Sequence, residues 1–328
     1  MNHSNNVVSV SGMYWTGSSA VIDIFLEHPS CNVIPDEFSV FSYGQFFDDI
    51  YCTIEKERLI NSSQYLNLTR LLRFNESEPR YIYSAARFMF RNFGIYPKYF
   101  FHRRTGMGTI IGKDYDRSCY RLYQYLRNSH ISIEAIDLHD LKCMINDILF
   151  YAGQSARVAD DSFQGEKKLN VYDQLIAPAY VPAAIKVIPQ LKVISVDRDW
   201  RDQYVEVRSV LNKMLSVHRK MEIRPCGESK QSQDITPMDY FVQLRKLSRK
   251  LKAEQSESEH SNIMWVDFED IVQDTPSSVA KMFEFLNLDY SLWTPNKKFH
   301  PSTSKKNIGI WCNSKWKSEI DYIEAQLE

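Results

Sequence analysis

Apolar residues follow two rhythms along this chain. Val7-Val8-Ser9-Val10 is a short β-rich run that ends at Gly12, the pattern of a buried parallel strand. From Gly17 to Glu27 the rhythm changes: Ala20, Val21, Ile24 and Phe25 recur at helical spacing, and His28-Pro29 stops the helix. Cys31 to Ile34 reads as a second strand, ended by Pro35. Residues 40 to 165 show no clear strand alternation. They are aromatic-rich and mainly helical in pattern, with breaks at Pro79, Pro97 and the Gly106/Gly108 pair.

The alternation of strand and helix returns at Leu169-Asn170-Val171-Tyr172, followed by a helical stretch from Tyr180 to Ile188. Leu191-Lys192-Val193-Ile194-Ser195-Val196 is the clearest strand. It leads through Asp197-Arg198-Asp199-Trp200-Arg201-Asp202 into a helix expected to run to about Met221. Residues 225 to 236 are polar and read as a loop. Met238 to Lys252 is a basic amphipathic helix, and Gln255 to Ser261 a charged linker. Ile263-Met264-Trp265-Val266 is a further strand. Thr275 as N-cap, with Pro276 at the first helical position, opens a helix carrying Val279, Met282, Phe283 and Leu286. Lys305 to Gly309 forms a loop, and Trp316 to Leu327 a last amphipathic helix.

Strands alternating with helices imply an α/β fold of the P-loop-like three-layer α/β/α kind: a central parallel sheet covered on both faces. The expected organisation is one domain over residues 1–328, with a helical insertion at about 40–165. In such sheets ligands bind at the carboxyl ends of the strands. Gly12 and Arg198 both follow a strand end and can share one site.

Composition narrows the functions. The 328 residues carry a net charge of −1, so no global field draws the chain to nucleic acid, and any anion site must be local. The six Cys residues show neither CxxC nor metal-ligand spacing, so free thiols in a reducing compartment and no metal site are expected. The polar start, Met1 to Asn6, lacks a charged segment followed by an apolar one, and no apolar run reaches spanning length. A cytoplasmic location is the expectation. The Asn-x-Ser/Thr triplets at Asn61, Asn67 and Asn75 then read as polar surface.

The chemistry concentrates in Gly12-Met13-Tyr14-Trp15-Thr16-Gly17-Ser18-Ser19. It has the Gly-x4-Gly spacing of a phosphate loop, after a strand and before a helix. Glycines let the backbone fold so that successive N–H groups point at a phosphate, and the helix N-terminus adds partial positive charge. A nucleoside-triphosphate loop places Lys directly after the second Gly; here that residue is Ser18, which argues against an ordinary ATPase or kinase. Arg198, at the end of the clearest strand, is placed to meet an anion bidentately. Pairing of Arg198 and Arg201 with Asp197, Asp199 and Asp202 is the alternative.

The two motifs together resemble the nucleotide-binding elements of sulfotransferases that use 3′-phosphoadenosine 5′-phosphosulfate (PAPS). The loop Gly12–Ser19 is similar to the family's 5′-phosphosulfate loop. Arg198-Asp199-Trp200-Arg201-Asp202 matches four positions of its five-residue Arg-Asp-Pro-Arg-Asp segment, which contacts the 3′-phosphate. Trp265-Val266-Asp267-Phe268-Glu269-Asp270 resembles a later strand and turn. Ser304 to Trp311 resembles the loop that covers the nucleotide, and Glu319-Ile320 with Ile323-Glu324 its closing helix. Residues 40 to 165 match no segment of the family. The Trp-Thr-Gly-Ser form of the first loop is consistent with a divergent bacterial, carbohydrate-type branch.

The resemblance implies sulfuryl transfer from PAPS, without a metal, to a hydroxyl of a carbohydrate acceptor such as a surface polysaccharide or glycolipid. It implies that Trp15, Thr16, Gly17, Ser18 and Ser19 hold the 5′-phosphate, and that Arg198, with Lys305, Lys306, Asn307 and Gly309, holds the 3′-phosphate. Two positions depart from the family. Trp15 stands where many members carry Lys or Arg, so Lys113, Lys305 or Lys306 would have to supply that charge. Glu206 stands where the family has Ser, and needs neutralising, with Arg208 the nearest candidate, or must turn away. For the catalytic base Asp173, at a strand end, comes first, with His102 and His139 behind it. The aromatic run from Tyr81 to Phe101, with Arg87, Arg91, Arg103 and Arg104, suits sugar rings and acidic groups, but a helix core with snorkelling Arg is the preferred reading of the same pattern. The basic helix Arg245 to Lys252 is a candidate for peripheral membrane or anionic-glycan contact, or a solvated face. Two competing readings remain: a phosphoryl-transfer enzyme, for which Asp197 is the one candidate metal-binding strand end, and a nucleotide- or glycan-binding protein without catalysis.

Overall fold

A computed structural model describes residues 6–37, 113–131, 137–159, 169–208, 210–211, 236–256 and 262–328. The aromatic run 81–101, His102 and the polar stretch 225–235 lie outside the described residues. Five strands form one parallel sheet: β1 (Asn6–Gly12), β2 (Cys31–Glu37), β3 (Leu169–Asp173), β4 (Leu191–Asp197) and β5 (Ile263–Asp267), in the order β2-β3-β1-β4-β5. The α/β reading of the sequence therefore holds. The chain leaves β1 toward β2 on one side and leaves β4 toward β5 on the other. The crevice between β1 and β4 is the topological switch point, where such sheets bind ligands. Gly12 is in register with Val196 there, so the loop after β1 and the Asp197-Arg198 turn after β4 are direct neighbours.

Alternation along the strands assigns the faces. Val8 and Val10 of β1 join Val171, Ile194 and Val196 on one face. They pack on α1 (Ser18–Leu26) and, farther along the chain, α7 (Phe268–Gln273) and α8 (Thr275–Leu286). Val7, Tyr172 and Val193 face the opposite way. There α2 (Lys113–Ile131), α3 (Leu138–Ala159) and α4 (Val181–Val187) cover them, with Leu122, Leu126, Ile145, Ile148 and Leu149 fully buried. Two helices from the span read as an insertion thus supply the core of one layer. Ser9 and Ser11, also on that face, are buried without cost. The Ser11 hydroxyl donates to the Ile176 carbonyl, and the Ile176 N–H donates to Ser9 Oγ at 3.3 Å. A third cluster joins α5 (Trp200–Val207), α6 (Pro237–Ser256) and the last helix, α10 (Lys317–Leu327), around Tyr204, Phe241, Ile320 and Ile323. Between α8 and α10 lies the short α9 (Pro301–Ser304).

Several boundaries differ from the sequence reading. α5, expected to run to about Met221, ends at Val207 with Arg208 as its C-cap. β2 runs through Pro35 to Glu37 because it is an edge strand, where a missing N–H costs no ladder bond, and its register shifts between Ile34 and Glu37. The stretch from Tyr180 begins earlier, with a 3₁₀ turn at Pro178–Tyr180 ahead of α4. The N-cap of α8 is Asp274, not Thr275: its carboxylate accepts the Ser277 N–H at 3.3 Å, while the Thr275 hydroxyl turns back to the Ile271 carbonyl at 2.7 Å.

Candidate functional site

The site begins where β1 ends. Tyr14, Trp15 and Gly17 all adopt positive φ, at 60°, 47° and 93°. Two non-glycine residues in the left-handed region within one loop are costly, and hold only where the surroundings impose them. The surroundings are identifiable. Gln203, fully buried on α5, donates its side-chain amide to the carbonyls of both Met13 and Tyr14. Gly17 lies against the ring of Phe268, the first residue of α7; a Cβ at Gly17 would stand 2.3 Å from that ring. Thr16 is buried at 2% exposure, and its hydroxyl fills the space over Gly12.

With its carbonyls turned inward to Gln203, the loop presents its amides. Among the described residues no protein group accepts a hydrogen bond from the N–H of Trp15, Thr16, Gly17, Ser18 or Ser19. This run of donors stands at the N-terminus of α1, a ready anion site. The Ser18 hydroxyl accepts from the Gln174 side chain at 3.0 Å. Gln174 follows Asp173 at the end of β3, has φ 54°, and ties its own N–H to the Val10 carbonyl at 2.8 Å. The neighbouring strand end, with Asp173 half-buried, therefore borders the loop.

Arg198 closes the other side. Its Nη1 reaches the Trp15 carbonyl at 3.3 Å and Glu206 Oε2 at 2.8 Å; its Nη2 donates to the Asn307 carbonyl; its guanidinium lies 5.1 Å from the Phe268 ring centre. Nε is buried without a hydrogen-bond partner among the described residues. Arg198 thus lies beside the loop, and it is Arg198 that neutralises Glu206. Arg208 turns away to Glu319, with Nη2 to Oε1 at 2.9 Å, and lies over the Trp316 ring.

The acidic residues of the turn each have a separate task. Asp199 caps α5 and binds Arg201, which stacks on Trp311 at 4.2 Å. Asp202, 1% exposed, accepts the N–H groups of Gly309 at 2.7 Å and Trp311 at 3.0 Å. It thereby fastens the Lys305–Gly309 loop beside the β4 turn. Asp197 meets Arg245 at 2.8 Å and Lys252 at 3.5 Å. Burial alone would raise the Asp197 carboxyl, but the charge and hydrogen bond of Arg245, the Arg198 N–H and Lys252 outweigh it and hold it below the usual carboxylate value. The basic helix thus turns Arg245 and Lys252 inward, while Lys246 and Lys250 stay exposed.

The loop, Arg198 and the Asn307 and Gly309 backbone come together. The side chains of Lys305, Lys306 and Asn307 are exposed. Trp15 is 46% exposed at the loop tip. Lys113 opens α2, and His139 is exposed on α3, its ring 3.8 Å from Cys143. His102 lies outside the described residues. The sequence reading missed Gln174, Gln203 and Arg245; only their positions just past β3, inside α5 and on the basic helix could have signalled them. Among the described residues there is no cluster of metal-ligating side chains, and no helix is long and apolar enough to cross a membrane.

No family model and no curated protein matches this chain. Among solved structures it is similar to the sulfotransferase domain from the curacin biosynthetic pathway, at 13% identity and TM-score 0.41, over 98% of this chain and 97% of that one. It is similar to the sulfotransferase domain of the Synechococcus PCC 7002 olefin synthase, at 13% identity and TM-score 0.41, over 99% and 96%. It is also similar to sulfotransferase STF9 from Mycobacterium avium, at 10% identity and TM-score 0.37, over 98% and 75%.

Proposed function

We propose that this protein is a sulfotransferase that takes a sulfuryl group from PAPS and passes it to a hydroxyl of a carbohydrate acceptor. The observation that carries the reading is the run of amides from Trp15 to Ser19 at the start of α1, unused among the described residues, preceded by carbonyls that Gln203 holds and flanked by Arg198 at the switch point. These residues fit the 5′ end of the donor nucleotide: the amides and the Ser18 and Ser19 hydroxyls would hold its phosphate. The bound donor would supply an activated sulfuryl group on a phosphate leaving group. The chain's own part is to hold that phosphate, stabilise the charge it gains, and accept a proton from the acceptor. Asp173 is the candidate base, since its strand end borders the loop through Gln174 and Ser18. The exposed Lys305 and Lys306 are the candidate cations for the charge that Trp15 cannot supply.

Asp197 favours sulfuryl over phosphoryl transfer. A metal-dependent phosphoryl site needs a carboxylate free to meet the ion, and Asp197 is committed to Arg245 and Lys252. The exposed indole of Trp15 beside the amides suits the face of a sugar ring and supports a carbohydrate acceptor.

The test is calorimetric titration with adenosine 3′,5′-bisphosphate, followed by transfer of labelled sulfate from PAPS to a panel of polysaccharides. Binding by the wild type, lost in Gly17→Val, supports the donor site. A folded wild type that binds no adenine nucleotide sinks it. Donor binding without transfer to any acceptor favours a binding protein that lacks catalysis.

A further inference from the structure

The Ser18 hydroxyl has a partner that decides what it can offer. Gln174 Nε2 donates to Ser18 Oγ at 3.0 Å, across 156 positions of the chain. Gln174 is itself held in place. It is half-buried, has φ 54°, and its N–H is tied to the Val10 carbonyl at 2.8 Å, where β3 ends beside β1. A non-glycine residue in the left-handed region is uncommon and holds where its surroundings impose it. In this conformation the side chain reaches Ser18 at the start of α1. A hydroxyl has one proton and two lone pairs. With a lone pair engaged by the Gln174 amide, the Ser18 proton is free to donate, and no protein group takes it among the described residues. Accepting one bond also polarises a hydroxyl toward giving the next. The opposite amide orientation would take the proton and turn lone pairs toward an anion, which they repel.

We propose that Gln174 is a positioning residue: it sets the Ser18 hydroxyl as a hydrogen-bond donor to the oxyanion held by the loop amides. A residue at the end of β3 then acts on the bound phosphate through Ser18. The inference rests on the reading of the Gly12–Ser19 loop as the nucleotide-phosphate site. It adds to that reading a relay from Gln174 through Ser18, separate from the proton-accepting role proposed for Asp173.

The experiment is calorimetric titration of adenosine 3′,5′-bisphosphate into the wild type, Gln174→Met, Ser18→Ala and the double variant, with a thermal melt of each to check the fold. Met keeps the length of the side chain and removes the donor. Ser18→Ala should weaken binding about ten- to a hundredfold, the size of one hydrogen bond to a charged group. Gln174→Met alone should weaken it roughly three- to tenfold, and should have no further effect in the Ser18→Ala background. Gln174→Glu, which accepts where Gln donates, should bind more weakly than Gln174→Met at about pH 7. That gap should close toward about pH 5, as the introduced carboxyl takes up a proton beside the anion and can donate again. Should Ser18→Ala bind too weakly to measure, the Gln174→Glu comparison decides. If Gln174→Met costs nothing, or costs the same factor with and without the Ser18 hydroxyl, the relay is overturned and the loop assignment stands. Equal affinities of Gln174→Glu and Gln174→Met at neutral pH overturn it as well. If the wild type binds no nucleotide, both fall together.

Discussion

Arg245 Nη1 donates to Gln203 Oε1 at 3.1 Å, and this one bond fixes which way the Gln203 amide faces. With its oxygen held by Arg245, Gln203 must point its nitrogen at the loop, where it meets the carbonyls of Met13 and Tyr14. A residue on α6 thereby supports the loop whose backbone is left-handed at Tyr14, Trp15 and Gly17. Gln203→Leu removes the donor while keeping most of the volume. It should weaken adenosine 3′,5′-bisphosphate binding tenfold or more, against a stability loss of about 1–3 kcal/mol for the buried groups left unsatisfied. Calorimetry and a thermal melt on the same sample separate the two. Unchanged affinity in a folded variant would show that the loop holds its shape without Gln203.

Asp202 does for the late loop what Gln203 does for the first. Its buried carboxylate is shared between the N–H groups of Gly309 and Trp311. Asp202→Ala should cost about 1–3 kcal/mol and, more tellingly, raise amide exchange across Lys305–Asn313 while leaving α1 protected. The dissociation rate of bound nucleotide should rise in the same variant. Exchange that increases evenly over the whole chain would mean the residue acts on global stability alone.

Much of this arrangement was legible in the residues, and the rest was not for identifiable reasons. Val7 to Val10 and Leu191 to Val196 declare buried parallel strands because both faces of each are covered, and Gly17 marks the loop because its φ of 93° needs a glycine. Arg198 was legible from its place after a strand. Gln203 was not, since a polar residue inside a helix carries no sign of which way it turns; only the fold puts the Met13 and Tyr14 carbonyls beside it. The same holds for Arg245, which reads as one basic residue among several on a solvated face until α6 is laid against β5 and the Asp197 turn. Pro35 misled for the opposite reason: it does end a central strand, and the sequence does not say that β2 is an edge.

Among the described residues, two glycines with positive φ give a paired prediction. Gly17 and Gly309 both sit in the left-handed region, at 93° and 75°, so alanine at either carries backbone strain of about 1 kcal/mol or more. They differ in what the new methyl would meet. At Gly17 it would stand 2.3 Å from the Phe268 ring, whereas at Gly309 there is open space within 4 Å. Gly17→Ala should therefore lower the melting temperature clearly more than Gly309→Ala, and should displace Phe268 from under Arg198. Equal shifts in the two melts would place the cost in the backbone alone.

Asp197 and Asp199, the two depressed carboxyls of the β4 turn, should contribute to the acid limb of the stability curve. Both carboxyls lie below their ordinary value of 3.8, because Arg245 and Lys252 at one and Arg201 at the other outweigh the opposing effect of burial. A carboxyl with a depressed folded value binds fewer protons folded than unfolded between the two values. Its stabilisation is complete above the unfolded value and is lost as pH falls through the folded one. Glu269 runs the other way: burial, chiefly, holds it above 4.5, so its contribution is present below the unfolded value and lost as pH rises through the folded one. Glu269 therefore acts above its ordinary value of 4.5, and the depressed carboxyls act below about pH 4, where Glu319, held down by Arg208, joins Asp197 and Asp199. Asp197→Asn removes the larger network and strands Arg245, at a cost of about 3–5 kcal/mol at neutral pH. Melting temperatures measured from pH 7 downward should then start lower and fall less steeply than the wild type's below about pH 4. An acid limb of unchanged slope in Asp197→Asn would assign the loss to other carboxylates and leave the Asp197–Arg245 pair a geometric support for Gln203 only.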